Sequence, residues 1–215
     1  MSTYMTGSFE SLLAQFASNE PAPGGGSASA LAGALSASLA QMVARLTIGK
    51  KNYEEATPEA QALLSQTEGL AARLAASIEG DAMAFERVMQ AMALPKETDE
   101  QKATRRDAMQ EAFKGATMAP LGVAQACLEA GKAASRLLAI GNQNASTDAG
   151  VAVLLAVAGG EGALFNVAIN LGSIKDEAFV AARRAEVEPL WRDLRALRDA
   201  LWPALSQAGV EVPTP

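Results

Sequence analysis

The chain has 215 residues, with 18 lysines and arginines against 24 aspartates and glutamates for a net charge of −6, one cysteine and no histidine. That charge argues against a sequence-independent grip on nucleic acid, which needs a basic face to neutralise phosphates. The lone Cys127 leaves no internal disulfide, and without histidine the commonest metal ligand and the usual neutral-pH base are both missing, so no metal site is expected.

The opening stretch "MSTYMTGSFE" has no basic flank followed by an apolar run. No signal peptide is expected, and the setting expected is cytoplasmic. Frequent helix punctuation, abundant alanine, short β-branched runs and the absence of an Asn-Gly or Asp-Gly turn predict an all-α fold. One compact domain over 1–215 is expected, a multihelical bundle with long, partly kinked helices and a frayed tail after about residue 209.

A first helix is predicted over 8–17, with Phe9, Leu12, Leu13 and Phe16 as an apolar stripe that packs on the bundle. The second starts at the triple glycine, Gly24 to Gly26, and stops near Gly49. It is built almost wholly from small residues and leucine, and Lys50 and Lys51 at its end complement the helix dipole. Two nucleotide motifs fail here. "GGGSAS" has Ser29 where a dinucleotide fingerprint needs its third glycine, and "ARLTIGKK" has Ala44 and Lys51 at P-loop positions that require glycine and Ser/Thr. Two readings of the glycines stay open. They leave backbone N–H groups and space for a flat ligand at a positive helix end, or they supply a positive φ and close helix packing.

The third helix is expected with Thr57 as N-cap and Pro58 at its first position, ending before Pro95. Leu70, Leu74, Ile78, Phe85, Val88 and Met92 make its apolar stripe, and Asp81 falls on it. A carboxylate on a buried face must be paired or neutralised, and desolvation raises its pKa toward the range that suits a general acid or base. Asp81 is therefore the candidate for proton transfer in a chain without histidine. An aspartate paired with an arginine, or capping a neighbouring helix, fits the same pattern.

"TDEQ", 98–101, reads as a capping box starting a fourth helix, which Pro120 is expected to kink or break before it reaches Ile140. The loop "GNQNASTD", 141–148, leads into the apolar stretch 150–171. There Glu161, Asn166 and Asn170 argue for a protein interior rather than a bilayer. Asp148 and Asn166, eighteen residues apart on one helix, lie roughly 27 Å from each other and cannot both serve one reacting centre within one chain. Asp148 suits the helix dipole, while Asn166 and Asn170, one turn apart, can form a local amide pair. "SIKD", 173–176, caps a last helix that Pro189 is expected to bend.

Five ordered segments, "PAPGGGS" (21–27), "GKKNYEE" (49–55), "DAMAF" (81–85), "GNQNASTDAGVA" (141–152) and "FNVAINL" (165–171), resemble the formiminotransferase-cyclodeaminase C-terminal domain family, which includes stand-alone methenyltetrahydrofolate cyclohydrolases. The resemblance runs from residue 8 to about 185. It implies an all-helical homodimer with no tightly bound cofactor and a tetrahydrofolate derivative as substrate, lying near Pro23, Gly24, Gly25, Gly26 and Ser27. Asp81 takes the catalytic position, and Ser27 begins the helix beneath the folate. Lys50 and Lys51 become candidates for the anionic glutamate tail. Asn144, Asp148, Asn166 and Asn170 become site or dimer-interface residues. The resemblance leaves two reactions open, hydrolysis of 5,10-methenyltetrahydrofolate and deamination of 5-formiminotetrahydrofolate. A non-catalytic folate-binding or helical interaction protein is the competing class.

Overall fold

Polar side chains at three helix starts set the frame. Ser8 Oγ accepts the Ser11 N–H at 3.1 Å and begins α1, Phe9–Phe16. Thr98 Oγ1 accepts the Gln101 N–H while Gln101 Oε1 accepts the Thr98 N–H, each at 3.2 Å, closing the capping box that starts α4, Asp99–Ile140. Asp176 accepts the Phe179 N–H at 3.0 Å and starts α6, Glu177–Gln207. Between them lie α2, Gly25–Thr47, α3, Thr57–Met92, a single 3-10 turn at Gln143–Ala145, and α5, Ser146–Leu171. The structure, a computed structural model, describes residues 4 and 6–211, and among these no strand occurs. Residues 212–215 of the tail lie outside the described residues.

Helix α2 packs between α3 and α5, with α4 behind all three and α6 laid against α4 and α5. Missing side chains make this possible. A Cβ on Gly33 would stand 2.5 Å from Cys127 Sγ, and one on Gly159 would stand 2.7 Å from the Ser29 carbonyl oxygen and 3.1 Å from the Gly33 nitrogen. So α2 and α5 meet backbone to backbone over the Cys127 side chain of α4, and burial pushes its thiol up to about 12. Both α2 and α5 are long and apolar enough to span a bilayer, but half of each apolar window is buried in the bundle. Glu161 pairs with Arg198 at 3.6 Å.

Several expectations need correcting. Only Leu12 of the α1 stripe is buried, while Phe9 and Leu13 are exposed, so α1 sits at the rim. Thr57 is the first residue of α3 rather than its cap. Ala56 precedes it, and Thr57 Oγ1 donates to the Tyr53 carbonyl at 3.1 Å. On α3, Leu70, Leu74, Ile78 and Val88 are buried, but Phe85 and Met92 are exposed. Helix α6 continues through Pro189 and Pro203.

Nor does α4 break at Pro120. A proline inside a helix donates nothing to the carbonyl four residues back, here that of Ala116. Asn170 supplies the missing donor from α5, its Nδ2 lying 2.7 Å from the Ala116 oxygen. Asn170 thus satisfies α4 rather than pairing with Asn166, whose Nδ2 donates to Gly162 O at 2.9 Å.

That arrangement predicts a coupled pair. Asn170→Ala is expected to cost about 1–3 kcal/mol in urea unfolding, because it leaves a buried carbonyl unsatisfied. In a Pro120→Ala background, where residue 120 regains its N–H, the same change is expected to cost markedly less. Equal costs in both backgrounds would show that Asn170 does not act through that carbonyl.

Candidate active site

The start of α2 carries the site. Gly24 is its N-cap, and its φ of −118° is one that any residue adopts, so the triple glycine is not there for a left-handed turn. The first intrahelical bond runs from the Ala28 N–H to the Gly24 carbonyl at 3.0 Å. The N–H groups of Gly25, Gly26 and Ser27 therefore have no helix carbonyl to bond. Asp81, from α3, takes one of them, accepting the Ser27 N–H. Ser27 is the third residue of α2, not its first. Fully buried, its hydroxyl donates to the Ile78 carbonyl at 2.8 Å and lies 3.3 Å from Asp81 Oδ2.

The reason for Gly26 is steric. A Cβ there would fall within the Asp81 carboxylate. Gly25 has room for one, 3.6 Å from Asn166 Nδ2.

Together Gly24, Gly25, Gly26, Asp81, Asn166 and Asn170 line one cavity of about 330 Å³, walled on its apolar sides by Phe85, Val88, Phe113 and Ile169. Among the described residues of that wall, Asp81 is the one that carries a charge. Desolvation pushes its carboxyl above the usual range, partly opposed by the hydrogen bonds from Ser27. The arrangement therefore combines both readings left open by the sequence: Asp81 caps the neighbouring helix, and it stands on the wall of a cavity with a raised pKa. Pro23 is buried before the glycines, after a cis Ala22–Pro23 peptide, and is not part of the lining.

The remaining sequence candidates stand elsewhere. Helix α5 is unbroken, which keeps Asp148 roughly 27 Å from Asn166. Lys50, Lys51, Asn144 and Asp148 gather around the other end of α2. There Lys50 Nζ donates to Asn142 Oδ1, which also accepts the Asn144 N–H at 3.1 Å. Asn142 is buried, with its N–H on Thr47 Oγ1 at 3.0 Å and its Nδ2 on the Leu46 carbonyl at 3.2 Å, so it ties the end of α2 to the approach to α5. Phe113 was not singled out in the sequence. It comes from α4, and no local signal announces which face of a 42-residue helix meets a cavity. Among the described residues no cluster of three or more histidine, cysteine, aspartate or glutamate side chains forms a metal site.

An all-helical bundle whose glycine-opened helix start holds a desolvated aspartate defines the class. The family model described as formiminotransferase-cyclodeaminase matches residues 8–189, and the chain belongs to that family. It is 43% identical over 193 residues to a protein named methenyltetrahydrofolate cyclohydrolase from Methylorubrum extorquens, covering 90% of this chain and 93% of that one. A protein named formimidoyltransferase-cyclodeaminase from Sus scrofa is 35% identical over 178 residues. These are 83% of this chain but 33% of the pig protein, so the match spans about a third of that longer relative. Among solved structures, the formiminotetrahydrofolate cyclodeaminase of Thermotoga maritima superposes with a TM-score of 0.85 at 28% identity, covering 96% of this chain and 99% of that one.

A raised carboxyl pKa means that the folded state favours the protonated form, so Asp81 contributes stability below its unfolded pKa and loses it as pH rises through the folded value. Asp81→Asn is accordingly expected to raise the melting temperature at pH 7, with the gain shrinking as pH falls toward 4. A gain that grows on acidification, or a loss at pH 7, would contradict the burial account.

Proposed function

We propose that this protein is an enzyme of folate one-carbon metabolism that acts at the carbon between N5 and N10, hydrolysing 5,10-methenyltetrahydrofolate to 10-formyltetrahydrofolate. The observation that carries this is the desolvated Asp81 carboxyl, alone in charge on the wall of its cavity. The 43% identity to a cyclohydrolase along nearly all of both chains supports it.

The chemistry follows from the parts. The methenyl substrate is a cation delocalised over N5, the bridging carbon and N10, and a carboxylate in a low-dielectric cavity stabilises it. Water attacks the bridging carbon while Asp81 takes one of its protons. The tetrahedral carbon then collapses: the bond to N5 breaks, the remaining C–O bond becomes the formyl carbonyl, and Asp81 returns a proton to N5 as the hydroxyl proton leaves to solvent. One carboxyl with a raised pKa serves as base in the first half and acid in the second. The Gly25 and Gly26 N–H groups, at the positive end of α2, suit the oxygen that gains charge during collapse.

Deamination of 5-formiminotetrahydrofolate is the second reading, favoured by the 0.85 superposition on a cyclodeaminase. There N10 attacks the amidine carbon and ammonia leaves, and the same aspartate moves the same protons.

The assembly we propose is a homodimer through the exposed faces of α2 and α5. Leu35, Met42 and Leu46 on α2 and Val151, Leu154, Phe165 and Ile169 on α5 are all exposed, on two adjoining helices that carry three charged residues between them: Arg45, Asp148 and Glu161. A second copy presenting the same apolar faces covers them. Sedimentation equilibrium at micromolar concentration is expected to give twice the 22.2 kDa chain mass, with Leu154→Glu shifting it toward monomer, whereas a wild-type monomer would remove the claim.

Absorbance of the methenyl chromophore tests the reaction. Accelerated loss with 5,10-methenyltetrahydrofolate, cut about 10²- to 10⁴-fold by Asp81→Asn, is the expected result. Chromophore appearing from 5-formiminotetrahydrofolate with ammonia release would select the deaminase reading. Inactivity toward both would sink the enzyme assignment.

A further inference from the structure

The outer face of α2 is a seam. Ala28, Ala32, Leu35, Leu39, Met42 and Leu46 follow one another at alternating steps of four and three residues, the spacing at which one helix packs along another, and none of the six is buried. Bulk is unevenly shared along it, with alanine toward the start of the helix and leucine and methionine toward its end. On α5, Val151, Leu154, Ala158 and Phe165 are exposed at the same kind of spacing. The two helices run antiparallel, since a Cβ on Gly25 would meet Asn166 and one on Gly159 would meet the Gly33 nitrogen.

Both seams end at the Asp81 cavity. Gly25, three residues before Ala28, and Ile169, four after Phe165, are exposed and line it. At the other end of α2, Lys50 lies beside the approach to α5. Its ammonium is held by Asn142 Oδ1 and stands 5.5 Å from the centre of the Tyr53 ring, with no ion-pair partner among the described residues. The cavity has the opposite need. Among the described residues, no lysine or arginine lines it or the adjoining groove along α3, whose charged groups are Glu20, Glu79 and Glu86.

We propose that the two copies pair antiparallel, α2 on α2 and α5 on α5, and that each active site is completed by the other chain: Lys50 and Lys51 of the partner subunit stand at the mouth of the Asp81 cavity and bind the carboxylates of the folate's glutamate tail. A two-fold axis crossing near Ala37 seats Ala28 against the partner's Leu46 and Ala32 against the partner's Met42, small against large along the seam. A parallel pair, with α2 on α5, would instead stack the two acidic Asp81 ends on each other. The antiparallel pair brings to each of them a lysine whose charge no carboxylate of its own chain neutralises. In that register Gly25 is level with the partner's Gly49, and Asn166 stands at about the level of the partner's Asn144. Residues that lie at the far end of α2 within one chain thus reach the cavity from the other. Packed helices stand about 8–10 Å apart, a gap that the p-aminobenzoyl group of a folate bridges between a reacting carbon at Asp81 and tail carboxylates at the lysines.

The inference rests on the folate reading above, and two measurements keep them apart. Ala28→Cys and Leu46→Cys lie roughly 27 Å from each other within one chain, so together they are expected to cross-link two copies under a mild oxidant, with neither single variant doing so. No cross-linked dimer would overturn the antiparallel register and the shared site with it. In the assay, Lys50→Gln/Lys51→Gln is expected to raise KM for 5,10-methenyltetrahydrofolate about 10- to 100-fold at nearly unchanged kcat. The deciding sample is a hybrid dimer, purified through two different tags, with one chain carrying Asp81→Asn and the other Lys50→Gln/Lys51→Gln. One of its two sites joins an unaltered Asp81 to unaltered lysines, so well below KM about half the wild-type kcat/KM is expected, although each parent dimer retains about a tenth or less. Activity no greater than the mean of the two parents would overturn the shared site even with the cross-link formed. A wild type that turns over neither 5,10-methenyltetrahydrofolate nor 5-formiminotetrahydrofolate while the cross-link forms would overturn the folate reading and the tail contact, and leave the pairing of the chains standing.

Discussion

Everything at the site depends on one substitution of space for side chain: the Asp81 carboxylate occupies the volume that a Cβ of residue 26 would fill. Because Gly26 is bare, a carboxylate carried on α3 seats itself against the open end of α2 and takes the Ser27 N–H. The contact stabilises the start of a helix that has no side-chain cap of its own. It also removes the carboxylate from water on one side and leaves it facing a cavity on the other. A structural cap and an acid–base group are then the same atoms, and the raised pKa records the imbalance between lost hydration and the bonds from Ser27.

The framework holding that contact is packed through absences of the same kind. Gly33 and Gly159 bring α2 and α5 together over Cys127, and Gly160 leaves room for Leu194, where a Cβ would stand 2.7 Å from its Cδ2. Contacts between backbones leave little freedom to slide. Asn170 adds a directional tie, joining α5 to the carbonyl that Pro120 leaves open on α4. The cavity floor is thus fixed by three helices that cannot shift independently, which is what a reacting group needs if its position is to be held to a fraction of an ångström.

Much of this was legible in the residues. The capping box at Thr98, the start at Asp176 and the misplaced Asp81 are local patterns, and local patterns determine helix boundaries and faces. Where the reading failed, the deciding interaction lay in another helix. Pro120 was expected to kink or break α4, and it does not break it because the missing donor is supplied by Asn170, fifty residues further along. Phe85 sits at core spacing but faces a cavity, since α2 begins with glycines and leaves its place beside α3 unfilled. Lys50 and Lys51, expected by resemblance at the folate tail, and Asn144 and Asp148, expected as site or dimer-interface residues, stand within one chain at the opposite end of α2. There Asn142 serves as their anchor, a role visible only once the two helix ends are side by side.

The central claim is that burial against the start of α2 holds the Asp81 carboxyl above the ordinary aspartate range. A carbon-13 NMR titration of the aspartate side-chain carboxyls, with Asp81 assigned by its absence in Asp81→Asn, measures that value directly. The account predicts a midpoint for Asp81 above the ordinary aspartate range, falling back toward that range when the pocket is opened to water by Phe85→Ala. A midpoint at or below the ordinary range would mean that the helix start stabilises the charge more than burial opposes it, and Asp81 would then be a cap and not a proton carrier.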